Sequence, residues 1–176
     1  MPFLYRLTPD SSLSVQQLQH ALQLTLIKHP SLPTSLFYDS NTNTLMQKIT
    51  QLDTSHAANT NQLYSFVEST YQTNEQLDNI MHNEKVNPRL FDVALGLVFR
   101  CHLVYHKQTS SDGVLSHNDV IIFNFHYALF DFPSMDIFLH DLNQAYTTGQ
   151  LPSDNDDGTL RYIDCERSFL LHHLLL

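Results

Sequence analysis

The sequence has no tryptophan, two cysteines, four glycines and only nine lysines and arginines among 176 residues, with a formal net charge of -9. Few basic residues weigh against nucleic-acid binding, because phosphate recognition draws its affinity from Lys and Arg. Neither a GxGxxG nor a Walker A loop occurs, so nothing predicts a nucleotide site. The longest apolar stretches are strand-sized and no signal peptide is visible, so we expect no membrane span.

Cysteine and histidine chemistry is also sparse. Cys101 and Cys165 are far apart and form no CxxC motif, so we expect two reduced thiols in a soluble, cytoplasmic protein. The eleven histidines are scattered and suggest no ligand set, so no bound metal is expected. Neither cysteine has a histidine at a telling spacing, and no GxSxG elbow is present.

The sequence is 42% hydrophobic, which suits a globular fold, and its apolar periodicity alternates between helical and strand-like. In chain order it predicts a strand at 3–7, a helix at 14–28, strands at 35–38 and 45–49, a helical segment at 62–84 open to a break near 73–74, strands at 97–105 and 119–125, and a helix at 134–146. This order predicts an α/β fold in which helices flank a mixed sheet.

The segment at 120–135 combines an apolar strand with His126, Tyr127 and Asp131, and then Ser134 at the start of a helix. It resembles the active-site strand and loop of condensation domains of non-ribosomal peptide synthetases, in which such a strand enters a His-His-x-x-x-Asp-Gly motif. His126 matches the first histidine and Asp131 the aspartate. Tyr127 stands where the family has its second, catalytic histidine.

Three other segments support the resemblance. Residues 28–32, Lys-His-Pro-Ser-Leu, are similar to the Arg-His-Glu-x-Leu-Arg-Thr ending of the family's first helix. Residues 91–100 resemble the entry to the next core strand, and Tyr162-Ile163-Asp164 resembles a later tyrosine-aspartate segment. The resemblance implies one lobe of the chloramphenicol acetyltransferase-like (CoA-dependent acyltransferase) fold, with residues 1–176 forming a partial condensation domain, the N-terminal lobe.

The resemblance also implies a chemistry. Condensation domains join an acyl or peptidyl thioester to the amine of a second residue, both held on the phosphopantetheine arms of carrier proteins. The implied partners are therefore a peptidyl or acyl carrier protein and a complementary C-terminal lobe. No cofactor is expected on the chain itself, and no nucleic acid or membrane is expected as a partner.

The sequence departs from the family pattern around this motif. A free phenol, with a pKa of about 10, donates hydrogen bonds at neutral pH but is a poor base, unlike imidazole. Strand alternation predicts that His126 points away from Tyr127 and cannot replace the missing histidine. Pro33 stands where the family has the arginine that pairs with the aspartate. Asp131 must therefore find another partner, for which Arg100 is a candidate, reach water or bind a proton.

Phe132 replaces the glycine of the motif, and because it precedes Pro133 it favours extended backbone geometry. The loop should therefore differ in shape from the family's loop, with a large ring near the mouth of the tunnel between the lobes. Three readings stay open: a condensation enzyme that needs a second lobe, a non-catalytic module that binds carrier proteins or acts as a scaffold, and a truncated gene product. Catalysis by this chain alone is not expected.

Overall fold

The computed structural model describes residues 1–29, 31–49, 64–109 and 112–152. Over these ranges the chain forms three α-helices and eight strands. The helices are α1 (Val15–Lys28), α2 (Asn74–Val86) and α3 (Ser134–Thr148). The strands are β1 (Pro2–Arg6), β2 (Leu13–Ser14), β3 (Thr34–Asp39), β4 (Thr44–Ile49), β5 (Ser65–Tyr71), β6 (Phe99–His106), β7 (Val114–Leu115) and β8 (Val120–Phe125). A short 3-10 helix lies at Pro88–Leu90.

A four-stranded sheet in the order β1-β8-β6-β5 forms the centre of the described structure. Strands β1 and β6 both pair antiparallel with β8, whereas β5 pairs parallel with β6. The parallel pair requires a crossover between its strands, and α2 lies within it. The β3–β4 hairpin and the short β2–β7 pair lie outside this sheet.

Strand alternation divides the core between the two faces of the sheet. One face packs against α1 and α3 and carries large aromatic and aliphatic side chains, among them Phe99, Cys101, Leu103, Phe123 and Phe125. The other face packs against α2 and has a smaller apolar cluster of Tyr71, Leu77, Val104, Val120 and Ile122. The sheet therefore lies between two helical layers, with most of the apolar core on the α1/α3 side.

Local sequence signals explain where the helices begin. Ser14 caps α1 by accepting a hydrogen bond from the backbone of Gln17. Thr73 and Gln76 form a capping box at the start of α2, so that two backbone N–H groups find side-chain partners. At the end of α3, Gly149 adopts a left-handed conformation with φ 69, which glycine accepts without strain.

The predicted mixed α/β architecture is confirmed, as are β1, α1, the β3–β4 hairpin, β6, β8 and α3, with bounds that agree to within about two residues. The helical prediction for 62–84 is wrong over Ser65–Tyr71, which forms β5, and right from Asn74 onward. Phe66, Val67 and Tyr71 favour a strand, and pairing with β6 decides the conformation of a segment whose local pattern was ambiguous.

Two predictions fall outside the described residues: those on Cys165 and on the Tyr162-Ile163-Asp164 segment. Cys101 is fully buried, and burial raises the pKa of its thiol. Among the described helices, none combines the length and the apolar content that crossing a membrane requires.

Candidate functional site

The loop at 126–133 joins β8 to α3 and carries the three residues of the degenerate motif. It begins in register with the sheet, because the backbone N–H of His126 donates to Val98 O at 2.8 Å. The buried ring of Phe130 anchors its middle by stacking on Phe125, with centroids 3.8 Å apart and planes 8° apart. The sheet and the α3 side of the core therefore fix the two ends of the loop, while its tip faces solvent.

Strand alternation predicts that His126 and Tyr127 point to opposite sides, but in the structure they do not. Their rings stack, with centroids 4.8 Å apart and planes 25° apart. The prediction is wrong because β8 ends at Phe125, so the alternation that holds along the strand no longer applies in the turn that follows. No register slip is involved, since Phe125 lies opposite Phe99 in an unbroken antiparallel ladder.

The imidazole of His126 has one nitrogen engaged as an acceptor. The backbone N–H of Ala128 approaches Nδ1 of His126 at 3.3 Å, and because an N–H can only donate, Nδ1 carries no proton in this arrangement. Partial burial, followed by the positive charge of the N-terminus, lowers the pKa of His126. Both effects favour the uncharged ring, in which Nε2 carries the proton and can donate a hydrogen bond, while the Nδ1 lone pair accepts the Ala128 N–H.

The side chain of Tyr127 is 78% exposed, so its hydroxyl has room to donate a hydrogen bond. Phe132 is also exposed, at 73%, with one face near Phe3 at a centroid distance of 5.9 Å. The predicted intrusion of Phe132 into a tunnel mouth stays a prediction. In the described part of the chain, no group of three or more His, Cys, Asp and Glu side chains is placed to hold a metal ion.

Asp131 has a local role that the sequence did not predict. Its Oδ1 accepts hydrogen bonds from the backbone N–H of Ser134, at 3.0 Å, and from the Ser134 hydroxyl, which together secure the first turn of α3. The predicted pairing with Arg100 is wrong, because Arg100 donates from Nε to Glu84 Oε1 at 3.0 Å on the α2 face of the sheet. With its side chain in solvent, Asp131 needs no arginine at the position of Pro33.

A small pocket lies beside the loop, between the end of α1 and the start of α3. It is lined by His29, Ser31, Leu32, Phe130, Ser134, Ile137 and Phe138. Asp141 in α3 holds the end of α1 in place, because its carboxylate pairs with Lys28 Nζ at 3.1 Å and with His29 Nε2 at 2.7 Å. Lys28 and His29 belong to the segment that resembles the ending of the family's first helix. Here their contacts with Asp141 join α1 to α3.

Sequence reasoning missed a buried polar cluster on the α2 face. The side chain of Glu84 is fully buried and accepts from Arg100 Nε at 3.0 Å, His102 Nδ1 at 2.8 Å and Asn124 Nδ2 at 2.8 Å. Burial alone would raise the pKa of Glu84, but the hydrogen bonds from His102, Asn124 and Arg100, with the charge of Arg100, lower it to about 2. Polar residues at alternate positions of β6 and β8, in otherwise apolar strands, were the available signal.

Comparison with known proteins agrees with the resemblance. No family model matches the chain. The hybrid PKS-NRPS synthetase apdA of Emericella nidulans is 28% identical over 153 residues, which cover 87% of this chain but only 3% of that synthetase. The likeness therefore extends over nearly the whole of this chain and a small part of its relative.

Solved structures give the same result for the fold. The epimerization domain from the third module of tyrocidine synthetase B aligns over 90% of this chain with a TM-score of 0.64 and 17% identity. The condensation domain of the Monacolin K polyketide synthase MokA aligns over 98%, with a TM-score of 0.62 and 11% identity. The chain has a condensation-domain-like fold. It spans 33% of each of these two solved chains, about a third of their length.

Proposed function

We propose that this chain acts as the N-terminal lobe of a condensation-type domain that binds carrier-bound acyl thioesters, with the loop at 126–133 as its share of the site. The observation that carries the proposal is the position of this loop. It follows the central strand β8 and enters α3, in a fold similar to that of condensation domains, and the motif residues His126 and Asp131 occur in the family's order.

The loop can donate hydrogen bonds but is poorly equipped to remove a proton. The exposed hydroxyl of Tyr127 is a donor, and the Nε2–H of neutral His126 is a second. Two donors suit the carbonyl oxygen of a thioester or the oxyanion formed when an amine attacks it. Because Tyr127 is a poor base and the Nδ1 lone pair of His126 already accepts the Ala128 N–H, deprotonation of the amine falls to water or to the substrate, and we expect slow amide formation by this lobe.

Amide formation from two loaded carrier proteins tests the proposal. The chain and its Tyr127→His variant are each assayed with and without a complementary C-terminal lobe, and the product is measured by mass spectrometry. The expected result is product only with the second lobe present, at a rate at least about 100-fold higher for Tyr127→His, since general-base catalysis contributes about that much. The proposal would be contradicted if the unmodified chain made product without the second lobe, or if the unmodified chain and Tyr127→His gave equal rates.

A second candidate is a non-catalytic module that binds a carrier protein or its phosphopantetheine arm. The apolar side chains beside the loop favour it, because Tyr127, Phe132 and Ile137 are 78%, 73% and 56% exposed. Binding of loaded carrier protein should weaken in Phe132→Ser and remain in Leu95→Ser, which removes a side chain that is 69% exposed outside the loop. If the chain binds loaded carrier protein but Tyr127→His forms no product, the non-catalytic module is favoured. If neither binding nor product is seen, the reading as a truncated gene product is favoured.

A further inference from the structure

Three side chains on the α2 face of the sheet are arranged as a nucleophile, a base and an orienting carboxylate. Ser69 Oγ in β5 lies 2.7 Å from His102 Nε2 in β6, and His102 Nδ1 lies 2.8 Å from Glu84 Oε1 in α2. Both distances are within the range for a hydroxyl activated by a histidine that a third group holds in place. The arrangement is separate from the loop at 126–133 and does not depend on the proposed condensation role.

The bonding around Glu84 sets the tautomer of His102. Glu84 is ionised, because Arg100 and Asn124 also donate to it, so its oxygens only accept. The Nδ1–H of His102 must therefore donate to Glu84, which leaves Nε2 with a lone pair for the hydroxyl proton of Ser69. Glu84 and His102 are both buried, whereas Ser69 is partly exposed. Only the nucleophile of the three thus reaches solvent.

Strand β5 also offers a backbone donor next to Ser69. In the described part of the chain, β5 lies at the edge of the sheet and pairs only with β6. The C=O of Tyr71 faces β6, because it accepts from Lys107 N at 2.7 Å. Backbone groups of alternate residues point to opposite sides of a strand, so the N–H of Thr70 points to the open edge. A backbone N–H directly after a nucleophilic serine can stabilise an oxyanion.

We propose that Ser69, with His102 as base and Glu84 as positioning residue, is an acyl-accepting nucleophile for activated acyl esters or thioesters. Ser69 Oγ bonds to the carbonyl carbon while its proton passes to His102 Nε2. The bond from that carbon to the alcohol or thiol sulfur then breaks, and the leaving group takes the proton from Nε2. The products are O-acyl-Ser69 and a free alcohol or thiol. Water hydrolyses the ester by the same proton transfers, which release the acid and restore the Ser69 hydroxyl.

Labelling of the full chain with a fluorophosphonate probe, which phosphonylates a serine oxygen and releases fluoride, tests the proposal. Peptide mass spectrometry follows each serine separately, with exposed Ser12 and Ser40 as references inside the same molecule. We expect Ser69 to be labelled at least about 100-fold faster than these references, as general-base assistance predicts.

Two variants separate catalysis from folding. Ser65→Ala removes another hydroxyl bonded to the same cluster, through Arg100 Nη1 at 2.8 Å, and should leave Ser69 labelling within about 3-fold of the unmodified chain. His102→Gln should lower the labelling rate of Ser69 to that of Ser12 and Ser40. Circular dichroism confirms that the variant is folded. If Ser69 in the unmodified chain reacts no faster than the reference serines, the proposal is wrong, whatever the variants do.

Discussion

The loop at 126–133 follows strand β8, and the buried cluster around Glu84 includes residues of β6 and β8. The two regions differ in burial and in the number of elements that their hydrogen bonds connect. Tyr127, Phe132 and Asp131 are exposed, and Asp131 bonds only within its own turn, to Ser134. Glu84, by contrast, joins α2 to β6 and β8 through Arg100, His102 and Asn124. Exposed residues of the loop can therefore change with little cost to the fold, whereas changes in the cluster should destabilise it.

Under the proposed function, this difference would let tyrosine stand at position 127, where the family has a histidine, while the fold persists. A substitution at an exposed turn removes few contacts and changes stability little. A substitution in the cluster leaves a charged or polar partner buried without its counterpart, which is among the costliest changes a protein can suffer.

The largest effect is expected for Glu84→Ala. It leaves Arg100, His102 and Asn124 buried without their shared acceptor and should lower the free energy of unfolding by about 3–5 kcal/mol. Urea denaturation followed by circular dichroism measures this loss. Glu75→Ala, at an exposed position in the first turn of the same helix, should cost no more than about 1 kcal/mol. Similar losses for the two variants would contradict the structural role of the cluster.

Acid should reproduce part of that loss. The pKa of Glu84 is lowered from about 4.5 to about 2, so the folded state binds its proton less readily than the unfolded state. The resulting stability is fully present above about pH 5 and is lost as the pH falls toward 2, by about 3 kcal/mol. Unfolding of the native chain and of Glu84→Gln, measured from pH 7 to pH 2, should differ less at the acid end. Parallel pH curves would show that Glu84 does not provide this stability.

A smaller effect is expected at Asp131. Asp131→Ala removes the acceptor for the Ser134 backbone and hydroxyl, so it should destabilise the chain by about 1 kcal/mol, as loss of a helix cap does. Asp131→Asn keeps an acceptor oxygen and should cost less. A loss above about 3 kcal/mol in thermal or urea unfolding would mean that Asp131 has a buried partner after all.

The smallest effect on stability is expected for Tyr127→His. The side chain is 78% exposed, so its replacement should change the free energy of unfolding by less than about 0.5 kcal/mol. The same unfolding assay, run beside the activity assay, checks this. A large loss of stability would show that the tyrosine supports the fold and would weaken the reading of Tyr127 as a change in chemistry alone.

Much of the fold could be predicted from the sequence, because β6, β8, α1 and α3 have strong local patterns that agree with their tertiary contacts. Segment 65–71 could not, since its strand conformation depends on parallel pairing with a distant β6. The sequence singled out His126, Tyr127 and Asp131 as candidate site residues, but it could not predict how they are arranged in space. The stacking of His126 on Tyr127 depends on where β8 ends, and the partner of Asp131 is a local backbone group. Alternate polar residues in β6 marked one face of the sheet, but nothing in the sequence indicated that Glu84 from α2 would join them, because the cluster forms only when the three elements pack together.

The most direct test of the proposed site chemistry is the tautomer and titration of His126, read from the ¹⁵N chemical shifts of its ring nitrogens by NMR. If the loop carries no base, Nδ1 is unprotonated and accepts the Ala128 N–H, the proton lies on Nε2, and His126 titrates below the usual histidine pKa of about 6.5. A proton on Nδ1 with a free Nε2, together with a pKa at or above 6.5, would contradict this. His126 would then be the base that the loop otherwise lacks.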